Sequence, residues 1–205
     1  MLNLRSLLGA LALAACCAPS ARLSAQSANR WSLQASGLYV RVSGDAYEGL
    51  SNGGGFEAQA RYTPSAFSLG IGVQSSIHDV AVQGFQTVSL SGAFVEPRYV
   101  LDIGGDRAAP YVAARLAYLR QQADVTELGE TFRLTADGTQ LNGGGGVLVR
   151  LSPRLNLDIG ATFGAINFED VVITNSGGNT VTVQGSSGSG SNLVLRLGIS
   201  IGLGK

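Results

Sequence analysis

Charge is scarce in this chain of 205 residues: Asp, Glu, Lys and Arg together make 14% of it, and the two signs cancel at pH 7. Roughly a quarter is usual for a soluble domain. Without net positive charge there is no basic field to draw nucleic acid along a groove, so no nucleic-acid partner is expected. Lysine is nearly missing, Lys205 being the only one. One histidine and two adjacent cysteines, Cys16 and Cys17, leave little for a zinc site, a disulfide framework or a Cys/His nucleophile. No metal, cofactor or catalytic residue is expected. No apolar run reaches the roughly 18 residues of a membrane helix. That excludes a helix-spanning membrane protein and leaves a strand-spanning one open. What the chain does have is an apolar share of 45% and 29 glycines.

Residues 1–25 read as an export signal. Arg5 supplies the positive start, Ser6 to Ala18 the apolar stretch, and Ala21 to Ala25 the small residues of a cleavage site. Cleavage is expected after Ala25, leaving 26–205 as one domain. A rival reading stops at Cys16, because Leu13-Ala14-Ala15-Cys16 resembles a bacterial lipobox whose cysteine is lipidated. Cleavage after Ala25 removes Arg5, Arg22 and both cysteines but no acid. The mature chain then carries 12 basic against 14 acidic groups, a net −2, and needs no thiol chemistry in an oxidising compartment.

After Ala28 the hydropathy has a period of two. Leu193, Leu195, Leu197, Ile199, Ile201 and Leu203 alternate with polar or small residues, an arrangement that a strand gathers on one face and a helix scatters. The same alternation runs through Phe56–Tyr62, Phe67–Val73 and Leu155–Phe163. Four further segments fit less cleanly: Trp31–Val42, Val88–Leu101, Pro110–Arg120 and Leu141–Leu151. In the first the apolar phase slips near Gly37-Leu38, which predicts a β-bulge. In the second it slips near Gly92, and Pro97 removes a ladder donor, so this strand is the least regular. Eight strands result. Their connections alternate between short ones (63–66, 102–109, 152–154) and long polar ones (43–53, 79–87, 121–140, 169–192), the habit of up-and-down membrane barrels. The fold expected is all-β, an eight-stranded antiparallel up-and-down transmembrane β-barrel.

Which face meets lipid follows from the side chains. One face carries Leu, Ile, Val, Ala and aromatic rings. The other carries Glu57, Arg61, Glu96, Arg98, Arg115, Arg150, Asp158 and Arg196 among glycine and serine. Small residues and charges of both signs suit a narrow bore that side chains must fill. Leu197 and Ile199 are therefore expected to face hydrocarbon. Trp31, Tyr62, Phe67, Tyr99 and Tyr111 fall beside the short turns, and Tyr39, Phe56, Tyr118 and Phe163 near the long loops, giving two interfacial belts. Tyr111 shares the phase of Arg115 and is the weakest member. A symmetrical turn centred on the Gly105–Asp106 bond sets Glu96 opposite Arg115, as a cross-strand ion pair inside the barrel.

With Phe94-Val95-Glu96-Pro97-Arg98-Tyr99 and Pro110-Tyr111-Val112 as local echoes, residues 31–203 resemble the small outer-membrane barrels. These include the transmembrane domain of outer membrane protein A and the adhesin-like eight-stranded proteins. The resemblance is architectural and carries no catalytic motif. It implies a non-enzymatic outer-membrane protein of a Gram-negative-type bacterium with a structural or surface-interaction role, expected to be a monomer. Its implied partners are outer-membrane lipid, lipopolysaccharide and the barrel-assembly machinery. Chains of this family commonly end in an aromatic residue read by that machinery, whereas this one ends Ile201-Gly202-Leu203-Gly204-Lys205. No peptidoglycan-binding domain is expected after the barrel. The alternatives are a porin-like pore of the same fold, for ions or small solutes, and a soluble periplasmic lipocalin-like carrier with its apolar face inside.

Three features remain. His78, beside Ser75, Ser76 and Asp79, resembles the His/Ser pair of a barrel-fold lipid A deacylase. That family's serine stands two positions after its histidine, where this chain has Val80. An interfacial histidine without chemistry is the reading preferred. Gly143–Gly146 opens no helix and so is no phosphate cradle; it lets backbones approach closely in the wall or lumen. The long loops hold Asp45, Glu48, Asp79, Asp124, Glu127, Glu130, Asp137, Glu169 and Asp170 against Arg120 and Arg133. This acidic rim suits either divalent cations that bridge lipopolysaccharide phosphates or simple solvation.

Overall fold

A computed structural model describes residues 29–80, 85–104, 107–127 and 130–204. The export signal with Cys16 and Ala25 lies outside the described residues, as does the Gly105–Asp106 bond. The strands are β1 (Trp31–Ser43), β2 (Leu50–Tyr62), β3 (Phe67–Val80), β4 (Phe85–Val100) and β5 (Ala108–Glu127). They continue with β6 (Glu130–Arg150), β7 (Leu155–Phe168), β8 (Val171–Asn175), β9 (Thr180–Val183) and β10 (Gly188–Leu203). Each of β1 to β7 pairs antiparallel with its sequence neighbour, β7 pairs with β10, and β10 closes on β1. Eight strands make the closed barrel. The β8–β9 hairpin is additional and hangs on β6 through Phe132–Thr135. No helix among the described residues is long and apolar enough to cross a membrane.

The barrel strands show the alternation that the sequence suggested; it is unbroken on β1 from Trp31 to Arg41 and lapses on β6 after Asn142. The predicted bulge at Gly37-Leu38 is absent, since β1 keeps one register against both neighbours. The interior itself changes: Ser32, Gln34 and Ser36 point in at the short-turn end, and Leu38 and Val40 point in towards the long loops. The slip near Gly92 has the same cause, because Phe94, Leu90 and Val88 all face inward in one continuous register with β3. The register shifts that do occur lie at Leu50/Gly53 in β2 and Phe85/Val88 in β4. Pro97 does not interrupt its strand. The β4–β5 pairing passes over Glu96 and Pro97 and resumes at Arg98↔Ala113 in step.

Two segments read as loops are largely strand. β5 and β6 run 20 and 21 residues and continue the wall through most of 121–140, while 169–192 holds the β8–β9 hairpin and the start of β10. A tilted strand needs about 9–11 residues to cross hydrocarbon, so β5 and β6 are about twice the length of such a crossing. The 43–53 connection includes a short 3-10 turn, Asp45–Tyr47, whose Tyr47 ring packs edge-on against Phe168 at 6.0 Å. Burial there pushes the Tyr47 hydroxyl up to about 12.

Outside, the belts largely stand as expected. Trp31, Tyr99, Tyr39, Phe56, Tyr118 and Phe163 are exposed, and Trp31 leans on Tyr62 at 4.8 Å. Tyr111 does not belong with them. It is only 2% exposed and points into the bore. The room comes from Gly146 and Gly160: a Cβ on Gly160 would lie 2.6 Å from the Tyr111 hydroxyl, and one on Gly146 would meet both that hydroxyl and the Ile159 carbonyl. The glycine run is thus partly a seat for this ring. Gly160→Val is expected to cost about 1–3 kcal/mol by overpacking, read as a lower urea midpoint of the refolded barrel. An unchanged midpoint would mean that Tyr111 is not fixed by this seat.

Candidate functional site

Inward positions at mid-height bring seven charged side chains from five strands together. Glu57 and Arg61 come from β2, Glu96 and Arg98 from β4, Arg115 from β5, Asp158 from β7 and Arg196 from β10, each 5% exposed or less. All sit on the inward phase of a period-two strand, which is why they meet although up to 139 residues separate them.

Glu96 is the hub. Its Oε1 accepts from Arg61 Nη2 at 2.8 Å and Arg98 Nε at 2.6 Å. Its Oε2 accepts from Arg115 Nε at 2.8 Å and Arg196 Nη1 at 3.0 Å, and Arg115 Nη2 lies 2.6 Å from it. The direct Glu96–Arg115 pair is thus in place, but as one edge of a larger set. Glu57 takes Arg115 Nη1 at 2.7 Å and Arg196 Nη1 at 3.2 Å. Asp158 takes Arg98 Nη1 at 2.8 Å, Gln34 Nε2 at 2.7 Å and the Tyr111 hydroxyl at 2.6 Å. Arg196 Nη2 donates to that same hydroxyl at 3.0 Å. Shared carboxylates of this kind spread each desolvation cost over several charge-assisted bonds, the condition under which buried ions persist.

Arg150 is placed elsewhere. It ends β6 at the short-turn rim, half-buried, with its backbone N–H donating to the Arg107 carbonyl, and the cluster's ion pairs form without it. Conversely, the cluster recruits side chains that charge alone does not flag: Gln34, Gln59, Gln74 and Tyr111. Their signal is phase, since each falls on the inward set of its strand. Nearer the loops a second polar knot has Gln140 Nε2 and Asn142 Nδ2 both donating to Asn192 Oδ1, at 3.0 and 2.7 Å.

The cluster is layered with apolar side chains. Arg115 stacks on the Phe94 ring at 3.9 Å and Arg98 on the Tyr111 ring at 4.4 Å. Above Phe94 follow Leu119, Ile166 and Phe168 on the loop side. Below, towards the short turns, Arg61, Arg98, Ser32 and Asn156 line a pit of only about 30 Å³, roughly the share of liquid volume taken by one water molecule.

His78 is not at the lipid interface. It points into the barrel at 1% exposure, with Nε2 3.1 Å from Ser76 Oγ and Nδ1 3.0 Å from the Ser51 carbonyl oxygen. The backbone of β2, not Asp79, orients the ring, and Asp79 lies exposed on the opposite face of β3. On the rim, Asp137 accepts from Arg120 Nε at 2.7 Å and Asp124 from Arg133 Nε at 2.9 Å, across facing positions of β5 and β6. The Arg120 bond holds the Asp137 carboxyl below its ordinary value. Among the described residues no three acidic, His or Cys groups gather as a metal site.

No known family profile matches this chain, and no curated protein matches its sequence. Solved structures do match its fold. Neisserial surface protein A superposes with a TM-score of 0.56 at 18% identity, covering 84% of this chain and 97% of that one. The outer membrane protein OprG from Pseudomonas aeruginosa gives 0.59 at 11% identity, covering 88% and 98%. Ail, the attachment invasion locus protein of Yersinia pestis, gives 0.50 at 12% identity, covering 84% and 99%. The architecture is that of the small eight-stranded outer-membrane barrels.

Proposed function

We propose that the mature chain is an integral outer-membrane barrel whose bore is closed by the ionic cluster, and that its role is structural or surface-interacting rather than catalytic or conductive. One observation carries this reading: the polarity is inverted. Leu33, Ile71, Val95, Leu116, Ile159 and Leu197 stand on the outside, while seven ionic side chains are sealed inside. Soluble proteins rarely expose contiguous apolar surface beyond a few hundred Å², and a barrel girdled with such residues between aromatic belts suits hydrocarbon. A lipocalin-like carrier needs the reverse.

Closure follows from the same side chains. Four arginines and three carboxylates tied to one another fill the narrow bore of eight strands, and a pit of about 30 Å³ lies below them. The sole histidine is sealed in the wall, where no substrate reaches it. The structure outside the membrane zone is concentrated at one end, where β5, β6, β8 and β9 continue as a projecting sheet. That sheet is the part available to a partner.

Two measurements test the proposal. Fractionated cells are expected to yield the protein with outer-membrane material, extractable only by detergent and migrating differently before and after boiling. In planar bilayers the refolded barrel is expected to give no stable single-channel steps. Recovery in the soluble periplasmic fraction would refute membrane residence, and steady conductance would replace the closed bore with a pore.

A further inference from the structure

At its long-loop end the barrel opens into a cavity of about 340 Å³. This lies within the range of about 300–1,000 Å³ usual for small-molecule sites. Its wall and floor are apolar, formed by Leu50, Val80, Val88, Ala123, Leu134 and Phe168. Val88, Ala123 and Phe168 are continuous with Phe94, Leu119 and Ile166 beneath them, and Phe94 rests on Arg115 of the ionic cluster. The cavity is therefore blind, a cup rather than the entrance to a channel.

Its rim has one sign of charge. Asp45 and Glu48, from the connection between β1 and β2, and Glu169, just after β7, line the opening, and the described lining includes no arginine or lysine. None of these three carboxylates enters an ion pair or a side-chain hydrogen bond among the described residues. At the same end of the barrel Asp124 and Asp137 are each held by an arginine, and Asp170 accepts from the Ser187 N–H. An apolar cup under unpaired carboxylates asks for a ligand with an apolar body and a positive end. A bare metal ion fits poorly, because the floor offers no oxygen ligands and the acids do not gather within reach of one ion.

We propose that this cup binds a small organic cation of the alkyl- or arylammonium class, its apolar part on the Val88–Phe168 floor and its ammonium at the Asp45–Glu48–Glu169 rim. Burial of the apolar body supplies attraction, and the rim selects by charge, drawing a cation and repelling an anion of the same shape. The site goes beyond a closed, structural barrel, and its test in lipid rests on the membrane residence proposed above.

The test uses the refolded mature barrel in nanodiscs of zwitterionic lipid, titrated with phenylbutylammonium, phenylbutanol and phenylbutyrate, with empty discs subtracting partition into lipid. The ammonium is expected to bind about tenfold or more tighter than the carboxylate. Joint Asp45→Asn, Glu48→Gln and Glu169→Gln substitution is expected to erase that preference while phenylbutanol still binds. Ala136→Trp, which fills the cup, is expected to abolish binding of all three. Should Ala136→Trp fail to fold, methyl resonances of Val88 and Leu134 in the unmodified barrel report occupancy directly. Equal affinity for ammonium and carboxylate would overturn the proposal, as would ammonium binding that leaves those methyl resonances unmoved.

Discussion

Glu96→Gln is expected to be the most damaging single substitution in the interior. The carboxylate touches Arg61, Arg98, Arg115 and Arg196 at 2.6–3.0 Å and is itself fully buried. An amide keeps the shape but leaves four guanidiniums facing two remaining carboxylates, Glu57 and Asp158. Removing one partner of a buried ion pair costs about 3–5 kcal/mol, because the other charge stays unneutralised in a poorly hydrated place. Here one residue serves four such partners, so the upper end of that range is expected. Arg115→Met is expected to be milder. It loses a stack on Phe94 and its bonds to Glu57, Glu96 and Gln74, yet it leaves three arginines against three carboxylates. The sequence view of an isolated Glu96–Arg115 pair predicts that removing both partners costs less than removing either. The shared hub changes this. The double variant should recover part of the Glu96→Gln loss but remain worse than Arg115→Met alone. Urea midpoints of the three refolded variants decide, and a double variant more stable than Arg115→Met would show that the pair acts by itself.

The eight strands and their inward faces were legible because an apolar outer wall and a packed, largely polar interior impose a strong period of two. Seven of the eight charged positions read as lumenal meet in one cluster for that reason, whereas Arg150 keeps the phase but sits at the rim. The pattern misleads wherever the two environments stop differing. Leu38, Val40, Leu90 and Val88 are apolar and inward, so the contrast with the outer wall fades and resembles a bulge. Beyond residue 120 the outer face of β5 and β6 turns polar while the inner face keeps only small or scattered apolar residues such as Ala123, Leu134 and Ala136, so a segment such as Gln121-Gln122-Ala123-Asp124 carries no alternation to read. Tyr111 was ambiguous because a tyrosine near a short turn serves equally as an interfacial ring or as an interior donor. Its partner Asp158 is 47 residues away, and only closure of the barrel brings them to 2.6 Å. The cup was invisible for a related reason: its lining comes from seven separate stretches of chain, each unremarkable alone.

On the outer wall, the largest effect is expected from an arginine at Ile199. Ile199 and Leu203 lie on the same face of β10 and are similarly exposed, at 48% and 45%. They differ in depth. Leu203 is paired with Trp31, a ring of the short-turn belt, whereas Ile199 lies midway between Leu203 and Leu195, which is paired with Tyr39 of the opposite belt. If the belts mark the two interfaces, Ile199 sits near the bilayer centre and Leu203 at its edge. Arginine on the lipid face of such barrels costs about 2–4 kcal/mol at the midplane and about 0–1 kcal/mol near the interfaces. The difference arises because a guanidinium at the edge reaches headgroups and water by extending its stem, and one at the centre drags water or lipid phosphate inward. Ile199→Arg should therefore lower the free energy of folding into lipid vesicles by several times the Leu203→Arg loss. In a soluble barrel both positions face water and both substitutions are nearly neutral. Reversible urea titrations of the two variants in vesicles separate these outcomes, and equal losses at the two sites would show that the aromatic belts do not mark the membrane boundaries.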